Sequence, residues 1–239
     1  MAMLLSIDGN IGCGKSTLID SLQKLKETNI IDEHFDRNII NKLVYFQEPL
    51  NIWNTIVADN KTLLEQYYEN QKKYGFCFQM MVILARITEL KKIIKLNPDS
   101  IIVMERSFYS DKYIFLDMLY DKKIIDTYDY QIYNLWFESI VKDLPTHYYL
   151  YLTSTPERCI EKIQLRNRTG EKNIRLEYLD ELHNYHEKFF NHSNDLIKNK
   201  WWKTLYNYSD ISNNTPNYFQ LLKNILFQIN TIYIQNKNI

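Results

Sequence analysis

Apolar positions along the chain fall into two rhythms. Short continuous runs rich in β-branched and aromatic residues, Met3–Ile7, Leu43–Phe46, Ile101–Met104, His147–Leu152 and Thr204–Tyr208, read as strands buried on both faces. Between them apolar residues return every three or four positions, as in Ile83, Ile87, Leu90 and Ile94, which is the spacing of helices packed on one side. Strand and helix in alternation predict an α/β three-layer domain, with a central parallel five-stranded sheet flanked by helices. In such sheets ligands gather beyond the carboxyl ends of the strands, so the residues that follow each strand carry the functional expectation.

Beyond the first strand stands SIDGNIGCGKSTLI, Ser6–Ile19, in which Gly9, Gly14, Lys15 and Ser16 fill G-x-x-x-x-G-K-S between a strand and a helix expected over Ser16–Leu25. Glycines let the backbone N–H groups of Gly9, Asn10, Ile11, Gly12, Cys13 and Gly14 turn toward phosphates, and the helix that opens at Ser16 and Thr17 adds its positive end. Lys15 supplies a point charge and Ser16 a hydroxyl for Mg²⁺, so a nucleoside triphosphate is the expected ligand. The second strand is followed by Gln47–Glu48–Pro49 and the third by Glu105–Arg106–Ser107. Each cluster alone reads equally well as a helix cap or a surface charge; behind a P-loop, the three converge on one site.

At 239 residues the chain is long enough for one sizeable core, and one domain over 1–239 is expected. With 29 basic and 29 acidic residues nothing points to nucleic acid as a partner. No apolar run approaches the ~20 residues that span a bilayer, and a strand beginning at Met3 leaves no room for a signal or transit peptide. Cys13, Cys77 and Cys159 are odd in number and lack metal-type spacing, which suits a reducing, cytoplasmic compartment. Within the P-loop, the helix field would lower the Cys13 thiol pKa, although a small residue whose backbone binds phosphate is the expected role.

Taken in order, the P-loop, EPLNIW (Glu48–Trp53), FQ (Phe78–Gln79), ERS (Glu105–Ser107) and RNRTGEKNIRLEYLDELHNYHE (Arg166–Glu187) resemble the P-loop deoxynucleoside kinases over nearly the whole chain. The P-loop is shared by many enzymes; E-P-x-x-x-W together with the later Y-L-x-x-L-H pattern is far more specific. The resemblance implies the P-loop kinase fold, with an arginine-bearing lid at about residues 164–174, ATP as donor, Mg²⁺, and a homodimer. It also implies roles. Glu48 would be the base for the 5′-hydroxyl, Arg106 would hold Glu48 and the reacting oxygens, Lys15 would stabilise the transferred group, and Glu105 would position Mg²⁺ with Ser16. Arg166 and Arg168 would close over the phosphates, where a guanidinium fork suits phosphate oxygens better than lysine does. Glu171 and Tyr68 would take the sugar 3′-hydroxyl, Gln79 the base edge, and Trp53 and Phe115 the base faces.

Gln79, Val82 and Arg86 fall at i, i+3 and i+7, so one helical face is expected to turn all three into the pocket, with Asp111 meeting the arginine charge. By resemblance, such an Arg–Asp pair accompanies deoxyadenosine, deoxyguanosine or deoxycytidine rather than thymidine. Three departures from the family pattern stand out. Asn29–Lys42 is long, Thr169–Gly170 replaces an acidic lid position and is expected to loosen closure, and the last strand with its adenine-facing loop at about Asn207–Asn214 matches weakly. A thymidylate-type monophosphate kinase is the enzyme alternative, disfavoured by Trp53 and the Gln79 helix; a non-catalytic subunit would have been free to lose Lys15, Glu48 or Arg106. Apolar residues at Ile83, Leu84, Ile87, Leu90 and Ile94, and over Tyr128–Ile140, could serve a dimer or pack on each other within one chain.

Overall fold

A computed structural model describes residues 2–28, 37–168, 170–191, 200–205 and 216–237. In chain order its elements are β1 (Met3–Asp8), α1 (Lys15–Thr28), α2 (Arg37–Lys42), β2 (Leu43–Phe46), α3 (Leu50–Trp53), a small hairpin β3 (Val57–Ala58) and β4 (Lys61–Thr62), α4 (Leu63–Glu69) and α5 (Gln71–Leu96). They continue with β5 (Ile101–Glu105), α6 (Phe108–Ser110), a π-helical segment Asp111–Leu116, α7 (Asp117–Asp121), α8 (Thr127–Val141), β6 (His147–Thr153), α9 (Pro156–Arg166), α10 (Leu176–Asn191), β7 (Trp201–Leu205) and α11 (Pro216–Lys237).

Five strands form one parallel sheet in the order β2-β5-β1-β6-β7. Every residue of β1 and β5 is buried, as continuous apolar strands in the middle of a two-sided sheet must be. Leu4, Leu5 and Ile7 pack with Ile102, Val103, Leu150 and Leu152 in one core, each large side chain contributing roughly 1.5–3 kcal/mol on burial. Because β1 lies between β5 and β6, the P-loop emerges beside the ends of β5 and, one strand further, β2. That adjacency brings the three polar clusters together.

Four strands begin where the apolar runs predict, and β1, β5 and β6 run one residue further. The fifth differs: it spans Trp201–Leu205 rather than Thr204–Tyr208, and pairs Trp201 with Tyr149 and Leu205 with Thr153. Two adjacent tryptophans are strong strand formers, and they carry the strand start three residues earlier than the run of apolar positions indicated. The expected adenine-facing loop, 207–214, lies outside the described residues. Part of the long Asn29–Lys42 segment is the helix α2, which buries Ile39 and Ile40. Within α5, Ile83, Ile87 and Leu90 are core residues, as are Tyr133, Phe137 and Ile140 of α8, so much of the apolar surface in these two helices packs within the chain.

Candidate active site at the strand ends

The P-loop is held from several sides. Gly12 sits at φ +81°, and a Cβ there would come within 2.5 Å of the Cys159 carbonyl on α9, so only glycine fits. Asn10 donates to the Leu179 carbonyl on α10 at 2.8 Å and accepts from the Ile11 N–H at 2.8 Å, which pins the loop to that helix. Lys15 reaches back across the loop, donating to the Asn10 carbonyl at 2.8 Å and the Gly9 carbonyl at 3.1 Å. A second cavity opens along Gly14, Ser16 and Thr17 at the start of α1. At Cys13 burial raises the thiol pKa against the opposing charges of Lys15 and Arg106, so the helix field does not activate the thiol.

At the neighbouring strand ends three charged residues interlock. Glu48, just past β2, accepts from Arg106 Nε at 3.2 Å and lies 3.6 Å from Arg86 Nη2. Burial pushes the Glu48 pKa up, but Arg106, Arg86 and Lys15 outweigh it and hold the group at about 2, a permanent carboxylate. Arg106 places its guanidinium 4.5 Å from the centre of the Phe115 ring, in cation–π contact, and donates from Nη1 to the Gly9 carbonyl at 3.2 Å. Its backbone is left-handed, φ +66°, a conformation that costs a non-glycine residue about 1–2 kcal/mol. Glu105, the last residue of β5, accepts from the Ser16 hydroxyl at 3.1 Å; burial first, and then the Glu48 charge, raise its pKa.

A cavity opens in front of these groups, with Lys15, Glu48, Glu105 and Arg106 in its lining. Trp53, Tyr68, Gln79, Val82, Asp111, Phe115 and Glu171 reach its wall, so seven of the eight residues expected at the acceptor site are brought together. Arg86 is the exception. Fully buried, it lies behind the wall and acts on it through others: Nε donates to Asp111 Oδ2 at 2.9 Å, and Nη1 to the Glu105 carbonyl at 2.6 Å. Helical spacing placed it on the same face as Gln79 and Val82, but Asp111 on the π-helical segment stands in front of it. Such wide turns re-aim side chains, and Asp111 and Phe115 both ride on this one.

The lid connects α9 to α10. Arg166 forks onto Glu171 with bonds of 2.7 and 2.8 Å, and Arg168 reaches the same carboxylate at 3.3 Å. Gly170 is left-handed, φ +91°, and a Cβ there would lie 3.3 Å from side-chain atoms of both Leu64 and Glu65 on α4. The glycine therefore lets the lid approach α4 closely; Thr169 itself lies outside the described residues. Sequence reasoning missed Lys162 and Leu165, which line the P-loop cavity with Arg166. Lys162 stands four residues before Arg166 on α9, and that helical spacing was a usable signal.

A profile of the deoxynucleoside kinases matches residues 5–230. Human deoxycytidine kinase is 33% identical over 200 residues, covering 79% of this chain and 75% of its own. Deoxycytidine kinase 1 of Xenopus laevis is 32% identical over 199 residues, covering 79% and 74%, and the mitochondrial deoxyguanosine kinase of the same animal 28% over 204 residues, covering 77% and 72%. With the P-loop, the Glu–Pro and Glu–Arg–Ser strand ends and the arginine lid around one cavity, the chain belongs to the deoxynucleoside kinase family, a family of ATP-dependent phosphotransferases.

Proposed function

We propose that the protein transfers the γ-phosphate of ATP to the 5′-hydroxyl of purine deoxynucleosides and of deoxycytidine, and uses thymidine poorly. The observation that carries this reading is the buried Arg86–Asp111 pair, whose carboxylate forms part of the cavity wall. An Asp111 oxygen can accept from an exocyclic amine, whereas a thymine methyl directed at it would desolvate a charged group with no return. Gln79 offers the base edge a paired donor and acceptor, and Trp53 and Phe115 offer it apolar faces.

In this reading Glu48 takes the 5′-hydroxyl proton. Its low pKa leaves it ionised at any working pH, and Arg106 fixes its orientation at 3.2 Å. Lys15, Arg166 and Arg168 compensate charge on the phosphates, after exchanging their present oxygen partners for phosphate oxygens. Tyr68 and Glu171 bind the 3′-hydroxyl; burial keeps the Tyr68 phenol protonated and able to donate. Ser16 and Glu105 form a hard oxygen pair of the kind that suits Mg²⁺, which is commonly held by one or two side chains and the nucleotide phosphates. When bound there, Mg²⁺ would neutralise charge between the β- and γ-phosphates.

Turnover of the four natural deoxynucleosides with ATP and Mg²⁺ tests the assignment. Deoxyadenosine, deoxyguanosine and deoxycytidine are expected to be phosphorylated, and Arg86→Met/Asp111→Ala to gain thymidine relative to them. Thymidine as the best substrate of the unmodified protein, or an unchanged preference in the double variant, would overturn the base assignment.

A homodimer belongs to the same proposal. Tyr128, Ile132, Leu135 and Trp136 of α8 are exposed and follow i, i+4, i+7, i+8, one apolar stripe on that helix. Covering that stripe with its copy hides four large apolar side chains. Light scattering is expected to give twice 28.9 kDa, and Leu135→Glu to give 28.9 kDa. The single mass from the unmodified protein at micromolar concentration would reject the dimer.

The described chain contains no helix long and apolar enough to cross a membrane. Its three cysteines are free thiols, which supports a reducing, cytoplasmic setting.

A further inference from the structure

Five non-glycine residues among those described have positive φ, and four of them, Asp59, Asn60, Lys123 and Asn167, are exposed. The fifth, Arg106, is buried at the centre of the site. A strained backbone persists only where its surroundings enforce it, so the groups that enforce this one bear on the reaction. Two hydrogen bonds grip Arg106 from the end of β1: its own N–H donates to the Ile7 carbonyl at 3.0 Å, and the next N–H, of Ser107, donates to Asp8 Oδ1 at 2.9 Å. The first is an ordinary continuation of the β1–β5 ladder. The second is not, because a side chain replaces a backbone acceptor just where the chain leaves the strand direction.

Asp8 is fully buried, and so are Ser107 and Ser110 around it. Its Oδ1 also accepts from the Ser110 hydroxyl, and Ser107 Oγ accepts from the Ser110 N–H at 3.0 Å, which closes a compact ring between β1 and α6. Oδ2 has no hydrogen-bond partner among the described residues. A carboxylate taken out of water is expensive. One used through a single oxygen, at the one buried left-handed arginine, is placed for that turn rather than for the sheet.

We infer that Asp8 is a positioning residue for phosphoryl transfer: it fixes the left-handed turn at Arg106 by accepting the Ser107 N–H, and through it the guanidinium that holds Glu48. The inference rests on the kinase reading above, and the experiment separates the two, since a protein without deoxynucleoside turnover refutes that reading before any variant is compared.

The test is steady-state kinetics well below the melting temperature. Asp8→Ala is expected to lower kcat about tenfold to hundredfold, the effect of a displacement near 1 Å, while the nucleoside KM changes less than threefold. Asp8→Asn, which keeps an acceptor oxygen, is expected to stay within about threefold of the unmodified kcat. In an Arg106→Gly background, where glycine takes φ +66° freely and the guanidinium is absent, Asp8→Ala should cause no further loss of kcat. If Asp8→Ala does not fold, Ser110→Ala removes one donor to the same carboxylate and should lower kcat about threefold to tenfold. An Asp8→Asn protein no better than Asp8→Ala, a loss that persists in full without Arg106, or an unchanged kcat in Ser110→Ala would each overturn the assignment.

Discussion

The two sides of the cavity are built differently. The wall at the strand ends is set before any substrate arrives. Glu48 is fixed by Arg106, Arg86 by Asp111 and by two backbone carbonyls, and all but Glu48, whose side chain is 15% exposed, are buried. On the lid side the same residue types are held by one another. Arg166 and Arg168 share the Glu171 carboxylate, and side chains that are 30% and 33% exposed carry the pairing. Preset dipoles and charges stabilise a transition state without reorganising, whereas a group that must close over a substrate has to keep a partner it can give up. On the proposed function, the chemistry belongs to the first wall and the commitment of substrate to the second.

The largest expected effect is on the fixed wall. Glu48→Gln keeps the size of the side chain and its acceptor for Arg106 but removes the proton acceptor, so kcat should fall ~10²–10⁴-fold while the nucleoside KM changes little. Steady-state kinetics on the folded protein checks this. A near-normal kcat would mean that the preset carboxylate is scaffold, and the contrast between the walls would lose its functional meaning.

Stability sharpens the contrast at intermediate scale. Asp111→Ala leaves Arg86 charged, fully buried and facing only Glu48 and carbonyl oxygens, and should cost about 3–5 kcal/mol in denaturant unfolding. Arg86→Met together with Asp111→Ala removes both charges and should cost clearly less than the single variant. On the lid, Glu171→Ala breaks two ion pairs to part-exposed arginines, each worth ~0–1 kcal/mol, and should hardly move the unfolding midpoint. Equal losses from Asp111→Ala and Glu171→Ala would remove the distinction.

The difference between the walls also explains what could be read from sequence. Strands announce themselves by continuous apolar runs, and each run ends at the polar cluster it carries, so Glu48, Glu105 and Arg106 were legible, as was the P-loop, whose motif is local. Arg86 was placed on the correct helix face yet not behind Asp111, because the π-helical segment that brings Asp111 forward leaves no periodicity a short window can detect. The hairpin at Val57–Thr62 was likewise invisible, with two residues in each strand. Asp8, one residue past the first apolar run, was given no role, since nothing local shows that a residue 99 positions later donates to it. At Gly170 the sequence showed a missing acidic residue but not the close approach of the left-handed turn to Leu64 and Glu65 on α4, which are over a hundred positions away.

That contact gives the smallest and most selective prediction. Gly170→Ala asks an alanine to take φ +91° with its Cβ 3.3 Å from Leu64 and Glu65, at a cost of about 1–2 kcal/mol. The cost is felt only in the seated lid, because the turn can relax when the lid lifts, so little of it should reach global unfolding. Expressed in binding, 1.36 kcal/mol is a factor of ten, and the nucleoside KM should rise about tenfold as Glu171 is held less often against the cavity. The kcat at saturation should stay within about twofold, since Glu48 and Arg106 are untouched. A fall in melting temperature with KM unchanged would show that the turn is part of the rigid scaffold, and the lid would then have to be counted with the strand-end wall rather than against it.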